Sequence, residues 1–115
     1  MVSTIEQGNK VATLLDVFTV QPKDQQRLVN LLIEATEKVT SQQEGFISVS
    51  IHKSLDGTRV VNYAQWKSRD TIEKMLKNPR AISYMSEALS IAKLDGSLYE
   101  VVFVNTSRND KINIE

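Results

Sequence analysis

The chain has no cysteine, one histidine, two prolines and four glycines, and each shortage narrows what it can be. Without Cys, disulfides, thiolate metal sites and Cys nucleophiles are excluded. A single His, His52, cannot build a conventional transition-metal site with no thiolate beside it. The glycines stand at 8, 45, 57 and 96, too scattered for a dinucleotide fingerprint or a phosphate loop. No apolar run approaches the roughly 18 residues of a membrane span, and the opening MVSTIEQGNK lacks the apolar stretch of a signal peptide. Excess charge of one sign is missing as well. Lys plus Arg and Asp plus Glu are 14 each, so no net field draws nucleic acid or anionic lipid. The expectation is a cytoplasmic protein with no cofactor and no nucleic-acid or membrane partner.

What is present organises into one domain. At 115 residues a single chain can bury roughly 60–65% of its unfolded surface. Val11 to Val20 is rich in β-branched and aromatic residues, a strand signal. Pro22 suits a first helical position, and Leu28, Leu31, Leu32, Ala35 and Val39 then recur at three and four, the stripe of an amphipathic helix. Gly45 can end that segment in a left-handed conformation. Phe46 to Ser54 and Thr58 to Lys67 predict two strands. Ser68 is a candidate N-cap for a short helix containing Ile72, Met75 and Leu76. Asn78-Pro79 restarts a second helix whose buried stripe is Ala81, Ile82, Met85, Ala88, Leu89 and Ala92. Asp95-Gly96 is expected to turn the chain into a last strand, Leu98 to Val104. The domain spans 11–104, between tails over 1–10 and 105–115.

The order β-α-β-β-α(α)-β predicts an α+β, ferredoxin-like antiparallel sheet with helices on one face. Such a sheet normally keeps one face wet, yet these strands are apolar on both: Leu14, Phe18 and Val20 oppose Val11, Leu15 and Val17. One helical layer covers only half of that, so a second copy is expected over the other face, making a homodimer.

The hairpin SLDGT decides which side chains share a face. A two-residue turn at Asp56-Gly57 pairs Leu55 with Thr58. A type I turn over Ser54–Gly57 with Gly57 left-handed pairs Ser54 with Thr58, and residue preferences favour it. That second register puts Phe46 opposite Trp66, Ser50 opposite Asn62 and His52 opposite Val60, all on one surface. Each residue also has an architectural explanation. A strand Trp is usually core, a strand-end His is usually a surface group, and the serines can be small residues under a helix. Asn is a poor strand former, however, and buried donors require partners, which a polar ligand would supply. No paired carboxylates fall on adjacent strands, which argues against glycosidase chemistry. An RNA-recognition domain shares the element order but stacks bases on aromatics of one face. Here Tyr63 and Trp66 face opposite ways in a neutral chain, which rejects it.

From Val11 to Val104 the chain resembles the antibiotic biosynthesis monooxygenase family of small dimeric α/β-barrel proteins. The resemblance is carried by GFISVSIHKSLDGTRVVNYAQWKS, by PKDQQRLVNLLIEATE and by LYEVVFV, within which HxSxDGTxVxNYxQW marks one branch. It implies a cofactor-independent monooxygenase acting on a small aromatic substrate, oxidising a polycyclic phenol to a quinone with dioxygen. It implies a pocket between sheet and helices, with Asn62 and Trp66 contributing and His52 at a polar pocket position, where it can accept a proton. Ser50 and Phe46 share that face. Antibiotic-pathway members add a tyrosine and an arginine from the following helices. The segment 69–77 has no tyrosine, so Tyr84 and Arg80 are the candidates. Two other readings remain: a haem-degrading relative with His52 as axial ligand, and a non-catalytic binder of small aromatics.

Overall fold

The computed structural model describes residues 11–107, so the expected tail over 1–10 and most of that beyond 104 lie outside the described residues. Four strands and three α-helices follow in the expected order: β1 Ala12–Val20, α1 Gln25–Lys38, β2 Phe46–Lys53, β3 Arg59–Trp66, α2 Arg69–Leu76, α3 Pro79–Leu89 and β4 Ala92–Glu100. The sheet is antiparallel in the order β2-β3-β1-β4, a ferredoxin-like arrangement. Among the described residues no helix is long and apolar enough to cross a membrane.

Local chemistry explains the boundaries. Pro22 opens a single 3₁₀ turn, Pro22–Asp24, that leads into α1, its fixed φ being preset for a helix start. Ser68 caps α2 by accepting from Thr71 N–H, and the Thr71 hydroxyl accepts from Ser68 N–H in return, satisfying two otherwise orphaned donors. The Asn78 side chain accepts from Arg80 and Ala81 N–H, with Pro79 next in line. Gly45 has φ +84, and a Cβ there would also meet the Thr71 side chain at 2.5 Å, so glycine is required twice over at that corner.

The helix-facing side of the sheet carries the core. Phe18, Val20 and Val60 pack with Leu28, Leu32 and Ala88, while Leu14, Ala64 and Trp66 pack with Ile72 and Met75. Trp66, Phe18, Leu28 and Ile72 are fully buried, and each contributes about 1.5–3 kcal/mol by leaving water. Three large members of the expected helical stripes are exposed instead of buried. Leu76, Ile82 and Leu89 are about half exposed (50%, 53% and 49%), because they rim a cavity that interrupts the packing.

Two expectations are corrected here. The last strand runs Ala92–Glu100, not Leu98 to Val104; Asp95-Gly96 lies inside it, with Gly96 paired to Asp16. Ala92 belongs to this strand and not to a helical stripe, and residues 101–107 have no regular structure. The hairpin differs more consequentially. Its turn has the expected form, with Gly57 N–H donating to the Ser54 carbonyl (3.1 Å) and Gly57 left-handed at φ +83. Yet Ser54 N–H donates to Arg59, not Thr58 (3.0 Å), so the loop is one residue longer. Side chains hold Thr58 in the loop. Its N–H donates to Ser54 Oγ and to the Asp56 carboxylate, and its hydroxyl donates to that carboxylate at 2.7 Å. Its carbonyl is taken by Val20 N–H of β1 (2.9 Å). Thr58 therefore has nothing left to exchange with Ser54.

The extra loop residue shifts β2 against β3 by one. Val49 now opposes Ala64, Ser50 opposes Tyr63, Ile51 opposes Asn62 and His52 opposes Val61, while an irregularity between Phe46 and Ser48 restores the Phe46–Trp66 pair. Ser48, Ser50 and His52 consequently point to the face away from the helices, beside Gln65, Tyr63 and Val61. That face also carries Leu15 and Val17, both half-buried.

Candidate functional site

A cavity of about 460 Å³ lies between the sheet and the helices, a size suited to a ligand of a few fused rings. Its floor is the helix-facing side of β1 and β3: Leu14 and Asp16 from one strand, Asn62, Ala64 and Trp66 from the other. Successive even positions of a strand share a face, so Asn62, Ala64 and Trp66 form a row, with Ala64 as the low point between two polar ends. The walls are Leu31, Leu32 and Ala35 of α1 and Ala81, Ile82 and Met85 of α3. An apolar chamber with a few convergent polar groups is what a small aromatic ligand requires.

On the floor, the side chains of Asp16, Asn62 and Trp66 have no hydrogen bond to another described residue. Trp66 is fully buried, and its Nε1–H has no hydrogen-bond acceptor among the described residues. Phe46 fixes the indole from the side, edge-on at 5.6 Å between ring centroids and 87° between planes. Asn62 sits directly opposite Asp16 across the β1–β3 ladder. Asp16 is 7% exposed, and burial pushes its carboxyl from the usual 3.8 up to about 6. Gly96 flanks it on the other side; a Cβ at that position would stand 2.5 Å from Asp16 Oδ1. Any larger residue there would have to displace the carboxylate.

At the rim Tyr84 lines the cavity and its hydroxyl donates to Glu34 Oε2 at 2.7 Å, a bond to a carboxylate that raises the phenol above its ordinary range. Arg80 is exposed one turn earlier on α3 and does not line the cavity.

The expected constellation thus divides. Asn62 and Trp66 share the cavity, Phe46 supports Trp66 from behind, and Tyr84 reaches the rim. His52 and Ser50 do not join them. They are on the opposite face, 3.0 Å from each other, because of the one-residue shift in the hairpin. Asp16 was not anticipated. Its signal was available: a lone carboxylate within VATLLDVFTV at the same parity as Leu14 and Phe18.

Replacing Asn62 by Leu tests whether its amide serves the fold or a ligand. No hydrogen bond joins that side chain to another described residue, and burying an unpaired amide costs about 1–3 kcal/mol. Asn62→Leu should therefore leave the melting temperature equal or higher and abolish ligand binding. A clear fall in melting temperature with binding intact would assign Asn62 to architecture.

Comparison with known proteins bears on this geometry. The family model described as antibiotic biosynthesis monooxygenase matches residues 13–85. The tetracenomycin-F1 monooxygenase of Streptomyces glaucescens is 35% identical over 91 residues, 79% of this chain and 81% of that protein. Among solved structures, SnoaB of Streptomyces nogalater, described as a cofactor-independent oxygenase, matches with a TM-score of 0.71 at 18% identity, covering 83% of this chain and 96% of that one. Rv0793 from Mycobacterium tuberculosis matches at 0.72 and 16% identity, covering 84% and 99%. The two structural likenesses establish a shared fold.

Proposed function

The chain belongs to the antibiotic biosynthesis monooxygenase family, and from that premise we propose a cofactor-independent monooxygenase that oxidises an electron-rich polycyclic phenol to a quinone with dioxygen. The observation carrying this reading is the buried indole N–H of Trp66, without an acceptor among the described residues, in the same cavity floor as the Asn62 amide and under largely apolar walls. Donors held without a partner are preorganised for charge that appears only during reaction. A phenol, once ionised, is reducing enough to pass electron density to dioxygen directly, so the protein's tasks are few. The apolar walls stack the rings and exclude water. Asn62 and Trp66 donate to the substrate oxygen and to the peroxide that forms on the ring.

The haem-degrading alternative needs His52 as axial ligand. His52 is exposed on the face away from the cavity, which speaks against it. A non-catalytic binder would use the same chamber, and oxygen consumption separates the two. With naphthols and larger fused phenols, the expected result is one dioxygen consumed per phenol, the product gaining one oxygen and losing two hydrogens. Tight binding of these phenols with no oxygen uptake would instead make the protein a binder.

We also propose that a second copy of the chain covers the open face of the sheet, where Leu15, Val17, Val61 and Tyr63 lie without a helix over them. Sedimentation should give a particle of twice the 13.0 kDa chain mass. A stable monomer would reject the dimer.

A further inference from the structure

We propose that Asp16 is the base of this site: its carboxylate, set in the cavity floor between Asn62 and Gly96, takes the proton from the bound phenol. The inference rests on the oxygenase reading above and supplies the proton acceptor that His52, on the far face, cannot be.

Three features of the structure support it. Asp16 lines the cavity although it is 93% withdrawn from solvent. It has no hydrogen bond or ion pair with the described residues; desolvation alone acts on its carboxyl. A buried carboxylate retained only for structure would normally be tied to backbone donors or a cation. Finally, β4 gives up a side chain at Gly96, where a Cβ would stand 2.5 Å from Oδ1. A glycine inside a strand weakens it, so that concession needs a reason, and keeping the carboxylate in place is one.

The electrostatic surroundings suit the task. Of the cavity's lining residues, Tyr84 is the one other titratable group, at the rim and bonded to Glu34 of α1. Asp95, next to Gly96, pairs with Val17 and faces the other side, as does His52. Among the described residues no cation pairs with the carboxyl and no second acid faces it. Its value of about 6 leaves it a carboxylate at neutral pH and a better proton acceptor than an exposed Asp, the balance a general base needs.

The phenol O–H bond breaks, its proton goes to Asp16, and the electron pair stays on the substrate oxygen as phenolate. A ring carbon of the phenolate bonds dioxygen, which takes a proton back from Asp16 to become a hydroperoxide. The O–O bond then breaks as water leaves with the hydrogen of that ring carbon, giving the quinone. The sum is phenol plus dioxygen to quinone plus water, with Asp16 restored.

The test compares wild type with Asp16→Asn on two polycyclic phenols, one neutral and one already ionised at the assay pH. Asp16→Asn should lose about 10²–10⁴-fold in kcat/KM on the neutral phenol and far less on the ionised one. The acid limb of the wild-type profile near pH 6 should vanish. Gly96→Ala, which displaces the carboxylate without removing it, should slow turnover of the neutral phenol in the same sense. Equal losses on both phenols, or an unchanged acid limb, would overturn the assignment. Should the wild type oxidise neither phenol, the oxygenase reading fails separately, and the affinity for 2-naphthol between pH 5 and 8 still decides whether the carboxylate receives the phenol hydroxyl. Affinity that falls as the pH drops through 6 in wild type and is flat in Asp16→Asn supports Asp16. Affinity independent of pH in both, or no binding, overturns it.

Discussion

Asp16→Asn should make the empty protein more stable by about 2–3 kcal/mol at pH 7.5, and the gain should disappear near pH 4. The carboxyl titrates at about 6 in the fold against 3.8 when solvated. Between those values the native state holds a proton that the unfolded chain has released. Stability therefore falls as pH rises through the window, since the unfolded state binds fewer protons there. Above pH 6 the full cost of a buried charge is present; below 3.8 both states are protonated and none is. The amide has the shape of the protonated acid and never ionises, so it removes the cost only where the cost exists. For a domain of this size the neutral-pH gain corresponds to roughly 10 °C in melting temperature. Thermal unfolding of both proteins from pH 4 to 8 checks it. Parallel melting curves across that range, or a destabilised variant at pH 7.5, would show that the carboxylate is stabilised by contacts and is not a strained group. A variant that melts higher yet turns over slower would put stability and activity in opposition at a single atom, as expected where a fold retains a charge for use.

How much of this was legible follows from which features depend on parity. Asn62 and Trp66 are four apart on one strand, so they share a face whatever the partner strand does. That part of the site survives any error in the hairpin. His52 and Ser50 reach that face only through the β2–β3 register, and a slip of one residue sends a strand's whole side-chain set to the other face. The register was decided by Ser54, Asp56 and Thr58 bonding within the loop and by Val20 claiming the Thr58 carbonyl. Turn preferences see the first four residues of that loop and not the tertiary bond from β1. Asp95-Gly96 was misread for a related reason. The dipeptide usually marks a turn, but a glycine in a strand can also mark close approach of another group, and the group was a side chain from a strand some eighty residues away. The helices were readable because their signals are local: Ser68 and Asn78 cap within three residues, and the apolar stripe of α1 needs no partner to be recognised.

Trp66→Phe should keep the fold and lose on the order of 10²-fold or more in kcat, the usual consequence of deleting one preorganised donor. The substitution is chosen because it separates the two things Trp66 does. Its ring fills the end of the core against Phe46, Ile72 and Met75, and Phe retains most of that apolar bulk and an aromatic edge for Phe46. Its Nε1–H has no acceptor among the described residues, so removing it strands no internal partner and relieves a desolvation cost of about 1–3 kcal/mol. That relief offsets the smaller ring's lost packing, and the melting temperature should move little. The cost should fall on turnover, because charge that develops on the substrate oxygen and the peroxide loses its donor while ground-state stacking in the chamber persists. KM should therefore change much less than kcat, the pattern of an interaction made in the transition state. A variant with unchanged kcat would assign Trp66 to packing and leave Asn62 as the cavity's donor. One that raised KM alone would mean that the indole N–H holds the substrate equally before and during reaction. Measured beside Asp16→Asn, the two changes should differ in a further respect. The Trp66 loss should persist on a phenol that is already ionised, since stabilising developing negative charge does not depend on who removed the proton.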